Sequence, residues 1–280
     1  MSFLRRKEKT PGQISKLVGA LNAPAFPGLI MQVLERLREP EVDMASVTEA
    51  LQWDPGLVAQ ILRTVNSAAY GPATEIVSVR HAVSYMGREA LEQVVTLLAV
   101  KDALPATPAP GFDPAVFWFH AGTRAALARQ LSELLHPAQS SEVFSAGLLS
   151  DLAVPLLAHS RLGAYSSVLR AWNGDRRVCF ATLERETFGW DHADVGAELA
   201  RSWGLPKALV HGIAAHHSEV DDKVLAPALR LAGLLQDTES EHGLDALIET
   251  AKSEYGVTPE WMTAALESSK RQAGELLRSL

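Results

Sequence analysis

Along almost the whole chain the apolar residues recur at the helical period, and almost nowhere do they alternate as a half-buried strand requires. The starts of these repeats are punctuated. Asp54-Pro55 and Asp113-Pro114 each set a carboxylate at the N-cap, where it can accept from the first amides of a helix. The proline then takes the first helical position, whose N–H has no partner inside the helix anyway. Asp43, Ser78 and Asp191 mark further starts, and Thr258-Pro259 opens the last one. Stripes of this kind are buried by packing helix on helix, so the expected fold class is all-α.

The N-terminal half reads as a bundle of short helices. After Pro27-Gly28 come Leu29, Ile30, Val33, Leu34 and Leu37 on one face. Next, Leu57, Val58, Ile61, Leu62 and Val65 share a face, in a helix expected to stop at Gly71-Pro72. Ser78 caps a short helix ending at Gly87, and a long apolar helix runs from Arg88 to Leu104. Pro105 to Pro114 holds four prolines and a glycine in ten residues, which predicts an inter-lobe loop. Beyond it, helices are expected from Asp113 past His120 to Leu135, and from Glu142 to Ala158 with a kink at Pro155. Others are expected over Tyr165–Trp172, His192–Trp203 closed by Gly204, Leu205–His217, Val224–Leu235, and from Thr258 to the C-terminus. An acidic loop separates the last two, around Asp237 to Gly243.

Composition excludes several function classes. With 26 basic and 33 acidic residues the formal charge is −7, so the electrostatic footprint of a nucleic-acid binder is missing. Only Arg5 to Lys9 is locally basic. No apolar run approaches the roughly 20 residues of a spanning helix, and no apolar segment follows the basic N-terminus as a secretory signal demands. A cytoplasmic protein with no membrane partner is the expectation. The single cysteine, Cys179, rules out an intramolecular disulfide, and between Val178 and Phe180 it reads as a small buried hydrophobe. Walker loop, GxGxxG, GxSxG and HxxxH patterns are absent.

What remains is a set of histidines and one aspartate set among ordered motifs. Gly147-Leu-Leu-Ser150-Asp151 resembles the helix that carries the His-Asp doublet of the HD phosphohydrolase superfamily, with His120 in the place of its first histidine. Trp190-Asp191-His192-Ala-Asp194, Trp203-Gly204-Leu205-Pro206 and Ala215-His216-His217 resemble one branch of it, the HDOD (HD-related output domain) family. So do Asp54-Pro55-Gly-Leu57, Asn66-Ser67-Ala-Ala-Tyr70-Gly71 and Ser78-Val79-Arg80-His81-Ala82-Val83 in the other half. The resemblance covers about Leu21 to Leu235. It implies a two-lobed helical bundle: an extension (1–20), an HDOD-specific lobe (21–108), a degenerate HD-like lobe (109–236) and a C-terminal helical extension (237–280).

Catalytic members of the superfamily hold one or two metals that generate a hydroxide. Here the doublet histidine is Ser150, the final aspartate aligns with Gly233, and Val154 stands where cyclic dinucleotide phosphodiesterases have a lysine. His120, Asp151, His192, His216 and perhaps His217 survive as candidates for a residual divalent-metal site. A competing reading makes them polar residues that share hydrogen bonds in the old cleft without a cofactor, and the loss of two ligands favours it. Neighbouring helical residues diverge by about 100°, so His216 and His217 face one site only if the helix ends there. Asn66 and Tyr70 read either as a helix-end cap with a packed aromatic or as part of an interaction surface. The resemblance implies a non-enzymatic signalling module acting through another protein: a kinase, a response regulator or a cyclic-dinucleotide enzyme. The alternatives are a residual metal-dependent phosphohydrolase and a nucleotide sensor. Trp53, Trp118, Trp172, Trp190, Trp203 and Trp261 are candidate anchors for a partner. No feature sets the oligomeric state.

Overall fold

The computed structural model describes residues 11–21, 28–67, 70–137, 140–160, 163–175, 177–217, 227–235 and 241–279. The basic residues Arg5 to Lys9, the expected helix start at Val224 and the acidic residues from Asp237 to Glu239 lie outside the described residues. Among the described residues there are fifteen helices and no strand beyond one isolated bridge, so the fold is all-α.

In the N-terminal half, α1 (Pro11–Ala20), α2 (Gly28–Leu37), α3 (Met44–Gln52) and α4 (Pro55–Val65) precede the long α5 (Val79–Ala103). Helices α2, α3 and α4 all pack on α5. The caps form as the residue types predict: Asp43 accepts from the amides of Ala45 and Ser46, Asp54 from Leu57 and Ser78 from His81. Each such cap stabilises by about 1 kcal/mol. At Gly87 the backbone turns to φ +76°, so the two helices expected on either side follow each other across a kink.

Helix α4 stops at Val65, six residues before the glycine expected to end it, because Asn66 takes over the chain. Its Nδ2 donates to Leu62 O (2.9 Å) and Ile76 O (2.8 Å), while Oδ1 accepts from the Ile76 amide (2.8 Å). One side chain thus closes the helix and pins the buried Ile76 strap across its end. Tyr70, half buried, packs on the core beside it.

The second half is built around α6 (Pro114–Leu135), capped by Asp113. Against it lie α7 (Ser140–Leu149), α13 (Pro227–Leu234) and α15 (Pro259–Ser279). Helix α15 fits closely: a Cβ on Gly122 would stand 3.2 Å from that of Ala273, and Gln130 donates to Ser269 Oγ (2.8 Å). The remaining helices are α8 (Ala153–His159), α9 (Gly163–Gly174), α10 (Phe180–Phe188), α11 (His192–Ser202), α12 (Lys207–Ala215) and α14 (Glu241–Tyr255). Contacts of α5 with α7 and of α1 with α11 join the halves, and the buried apolar residues form one continuous core.

Three expectations are corrected. The helix expected over Glu142–Ala158 does not kink at Pro155 but breaks at Ser150–Leu152. Restarting as α8 puts Pro155 in a first turn, where its missing N–H breaks no helical bond. Helix α10, whose N-cap residue Cys179 makes no side-chain cap bond, and helix α14, which begins at Glu241 inside the loop expected to run to Gly243, escaped the reading. Cys179 is half buried at the N-cap of α10, short of full burial.

Candidate functional site

The break between α7 and α8 is what makes the site. It lifts Asp151 out of helical register and turns its carboxylate towards two helix ends, the start of α11 and the end of α12. Oδ1 lies 3.2 Å from Nε2 of His192, the first residue of α11, and 3.2 Å from Nε2 of His216, at the C-cap of α12. Nε2 of His192 is 3.3 Å from that of His216 and 2.9 Å from that of His217. Because α12 ends at Ala215, both neighbouring histidines face the site. His120 lies on the wall of the same cleft, and His217 stands with Asp151, His192 and His216 in the four-residue cluster.

Two residues missed in the sequence complete the arrangement. Arg124, one helical turn beyond His120, lays its guanidinium against Asp151 Oδ2. It stands in the apolar run Ala121 to Leu127, where a buried cation demands a counter-ion, and that demand was the legible signal. Glu184 is fully buried on α10. Its Oε2 takes the His192 amide (3.0 Å) and sits 2.5 Å from His192 Nδ1, while Oε1 accepts from the Tyr165 hydroxyl (2.6 Å). Its helical spacing from Phe180 and Ala181 puts it on the buried stripe, but the charged neighbours in Leu183-Glu-Arg-Glu186 masked that.

The electrostatics follow from burial and pairing. Burial opposes ionising Asp151, but Arg124 and then the two imidazoles outweigh it and hold the carboxyl well below the usual range. Burial likewise opposes charging His192, yet Glu184 and Asp151 keep its imidazolium well above the ordinary value. Burial, with His216 and His192 beside it, pushes His217 well down. The His192 ring lies against Phe180 at 5.2 Å, and its N-terminal neighbour Asp191 forms a capping box with Asp194 and an ion pair with Arg185.

A cavity of about 90 Å³ opens beside the cluster. Phe112, Phe117, Trp172 and Phe180 line it together with His120, Arg124 and the imidazoles. Phe112 is carried there by a tight turn. Gly111 has φ +84°, and a Cβ on it would come within 3.0 Å of Leu169.

The HDOD domain family matches residues 23–219. The chain belongs to the HDOD family. An uncharacterized protein of Treponema pallidum (strain Nichols) is 22% identical over 215 residues, which cover 74% of this chain. The chain spans about 40% of that relative's length. In fold, it matches an HDOD domain protein of unknown function from Geobacter sulfurreducens with TM-score 0.76 at 23% identity, covering 94% of this chain and 97% of the other. A protein from Marinobacter aquaeolei VT8 named as a candidate signal transduction protein matches with TM-score 0.75 at 20% identity, covering 99% of this chain and 67% of the other. No helix among the described residues is long and apolar enough to cross a membrane.

The hydrolytic metal centre of the HD superfamily does not fit this HDOD chain. Ser150 lines the cleft, but its hydroxyl donates back to Ala146 O (2.8 Å) on the last turn of α7, and a hydroxyl is a poor ligand beside imidazole. A Cβ on Gly233 would stand 2.6 Å from the His216 carbonyl oxygen, so no carboxylate can be carried there without moving the end of α12. The second oxygen of Asp151 is spent on Arg124.

Proposed function

We propose that this chain is a bacterial signal-transduction module that acts through protein–protein interaction and turns over no phosphoester. The observation that carries the reading is the Arg124 guanidinium on Asp151 Oδ2. A hydrolytic centre needs that carboxylate for a metal and a bound hydroxide, and here a side chain of the protein supplies the neutralising charge. The family, and the name borne by the Marinobacter aquaeolei protein, point in the same direction. Trp53 at the end of α3 is 80% exposed, a large apolar surface that suits an anchor for a partner protein. A nucleotide in the cleft is disfavoured, since about 90 Å³ falls well short of the roughly 300 Å³ of small-ligand pockets.

The test has two arms. The purified chain is incubated with cyclic dinucleotides and a generic phosphodiester under Mn²⁺, Fe²⁺ or Zn²⁺, and no turnover is expected. The chain and a Trp53→Ala variant then serve as baits. A kinase, response regulator or cyclic-dinucleotide enzyme is expected on the first and at least fivefold less on the second. Metal-dependent turnover lost in an Asp151→Asn variant would overturn the reading.

A further inference from the structure

Trp53 is the exception among the six tryptophans. Trp118, Trp190 and Trp203 are buried, and Trp172 and Trp261 pack on the core, whereas Trp53 is 80% exposed and takes no part in it. Nothing in the fold asks for an indole there. Trp53 is the C-cap of α3, and its helical backbone (φ −76°, ψ −10°) is open to most residue types. An indole left in water is instead the kind of side chain that dominates binding hot spots.

Its surroundings are of one sign. From Glu39 to Leu62 the chain has five acids, Glu39, Glu41, Asp43, Glu49 and Asp54, and no lysine, arginine or histidine. The first four are exposed, and none of the five is held in an ion pair among the described residues. Asp43 and Asp54 accept from the amides they cap, which leaves their charge in place. The bordering cations are engaged elsewhere. Arg38 Nε lies 2.9 Å from Glu92, and Arg36 donates to Ser46 O in the first turn of α3, about 10 Å along the helix from Trp53. Glu49 stands one helical turn before Trp53 on the same face, and Asp54 follows it directly.

We infer, on the reading of this chain as a docking module, that the α3–α4 corner binds a basic segment of the partner protein, with an arginine stacked on Trp53 between Glu49 and Asp54. Tryptophan offers a cation the most favourable aromatic face. Arginine fits best, because its planar guanidinium stacks on the ring while its edge N–H groups reach carboxylates on either side. The surrounding acids attract such a segment before contact, so association weakens as salt screens them.

The probe is a dye-labelled acetyl-(Arg-Ala)4-amide peptide, titrated with the full chain and followed by fluorescence anisotropy. Saturable binding is expected at about 25 mM NaCl, roughly tenfold weaker at about 300 mM, with none for the matching (Glu-Ala)4 peptide. Trp53→Ala should weaken it about fivefold or more, and Glu49→Lys about tenfold or more. Glu186→Lys makes the same charge change on the exposed side of α10, in the other half, and should leave affinity within about twofold. Circular dichroism checks that each variant is folded. Absent binding, or equal losses in Glu49→Lys and Glu186→Lys, overturns the basic partner. If the peptide fails while Trp53→Ala still loses its protein partner as bait, the docking reading stands and its basic chemistry falls. A low-salt dimer abolished by Trp53→Ala gives the face to a second copy, through Arg5 to Lys9, and overturns the inference as well.

Discussion

Arg124 on α6 is ion-paired with Oδ2 of Asp151, the carboxylate whose Oδ1 faces His192 and His216 from 3.2 Å. A cation supplied by the chain therefore sits on one side of this aspartate and a convergence of imidazole nitrogens on the other.

Arg124→Met keeps most of the side-chain volume and removes the charge. Both partners are largely buried, so the loss leaves Asp151 poorly compensated, and destabilisation of about 3 kcal/mol is expected by urea unfolding in chelator. A change below about 0.5 kcal/mol would show that the pair contributes nothing.

Acid stability should follow the same pair. The folded pKa of Asp151 lies well below its ordinary 3.8, so its contribution is present above about pH 4 and is lost as the pH falls through the folded value. Arg124, His192 and His216 are the groups that face it. In chelator, the acid-unfolding midpoint of Arg124→Met should move to higher pH than that of the wild type, measured by circular dichroism at constant ionic strength. Coincident acid limbs would contradict this.

Restoring an acid at position 233 should fail. Gly233→Ala already drives a methyl to 2.6 Å from a backbone oxygen, which costs about 1–3 kcal/mol, and Gly233→Asp should be worse. Neither variant should gain phosphodiesterase activity, and a stable, active Gly233→Asp would refute the packing argument.

Asn66→Ala removes the side-chain hydrogen bond to Leu62 O at the end of α4 and the two to Ile76, leaving the Ile76 backbone groups unmatched. A loss of about 2 kcal/mol is expected, with hydrogen exchange rising first at the end of α4 and at Ile76. Unchanged exchange there would favour a surface role for this motif.

The helical class was legible because its signals are local. Apolar period, Asp-Pro starts and the proline-rich loop act over a few residues, and Asn66 as a helix-end cap could be named from its place before Gly71. The breaks were less legible. Pro155 signalled an interruption near α8, but whether a chain kinks at a proline or restarts before it depends on what the preceding turn can bond to.

The residue types of the cleft were legible through the family resemblance of the sequence: His120, Asp151, His192, His216 and His217, with Ser150 and Gly233 where the resemblance places ligands. Tertiary structure decided their partnerships. Arg124 finds Asp151 across 27 positions, and Glu184 finds His192 only because α10 and α11 fold back on each other. Buried charges are matched by proximity in space and not by spacing along the chain, so which carboxylate a cation meets is settled only when the helices pack.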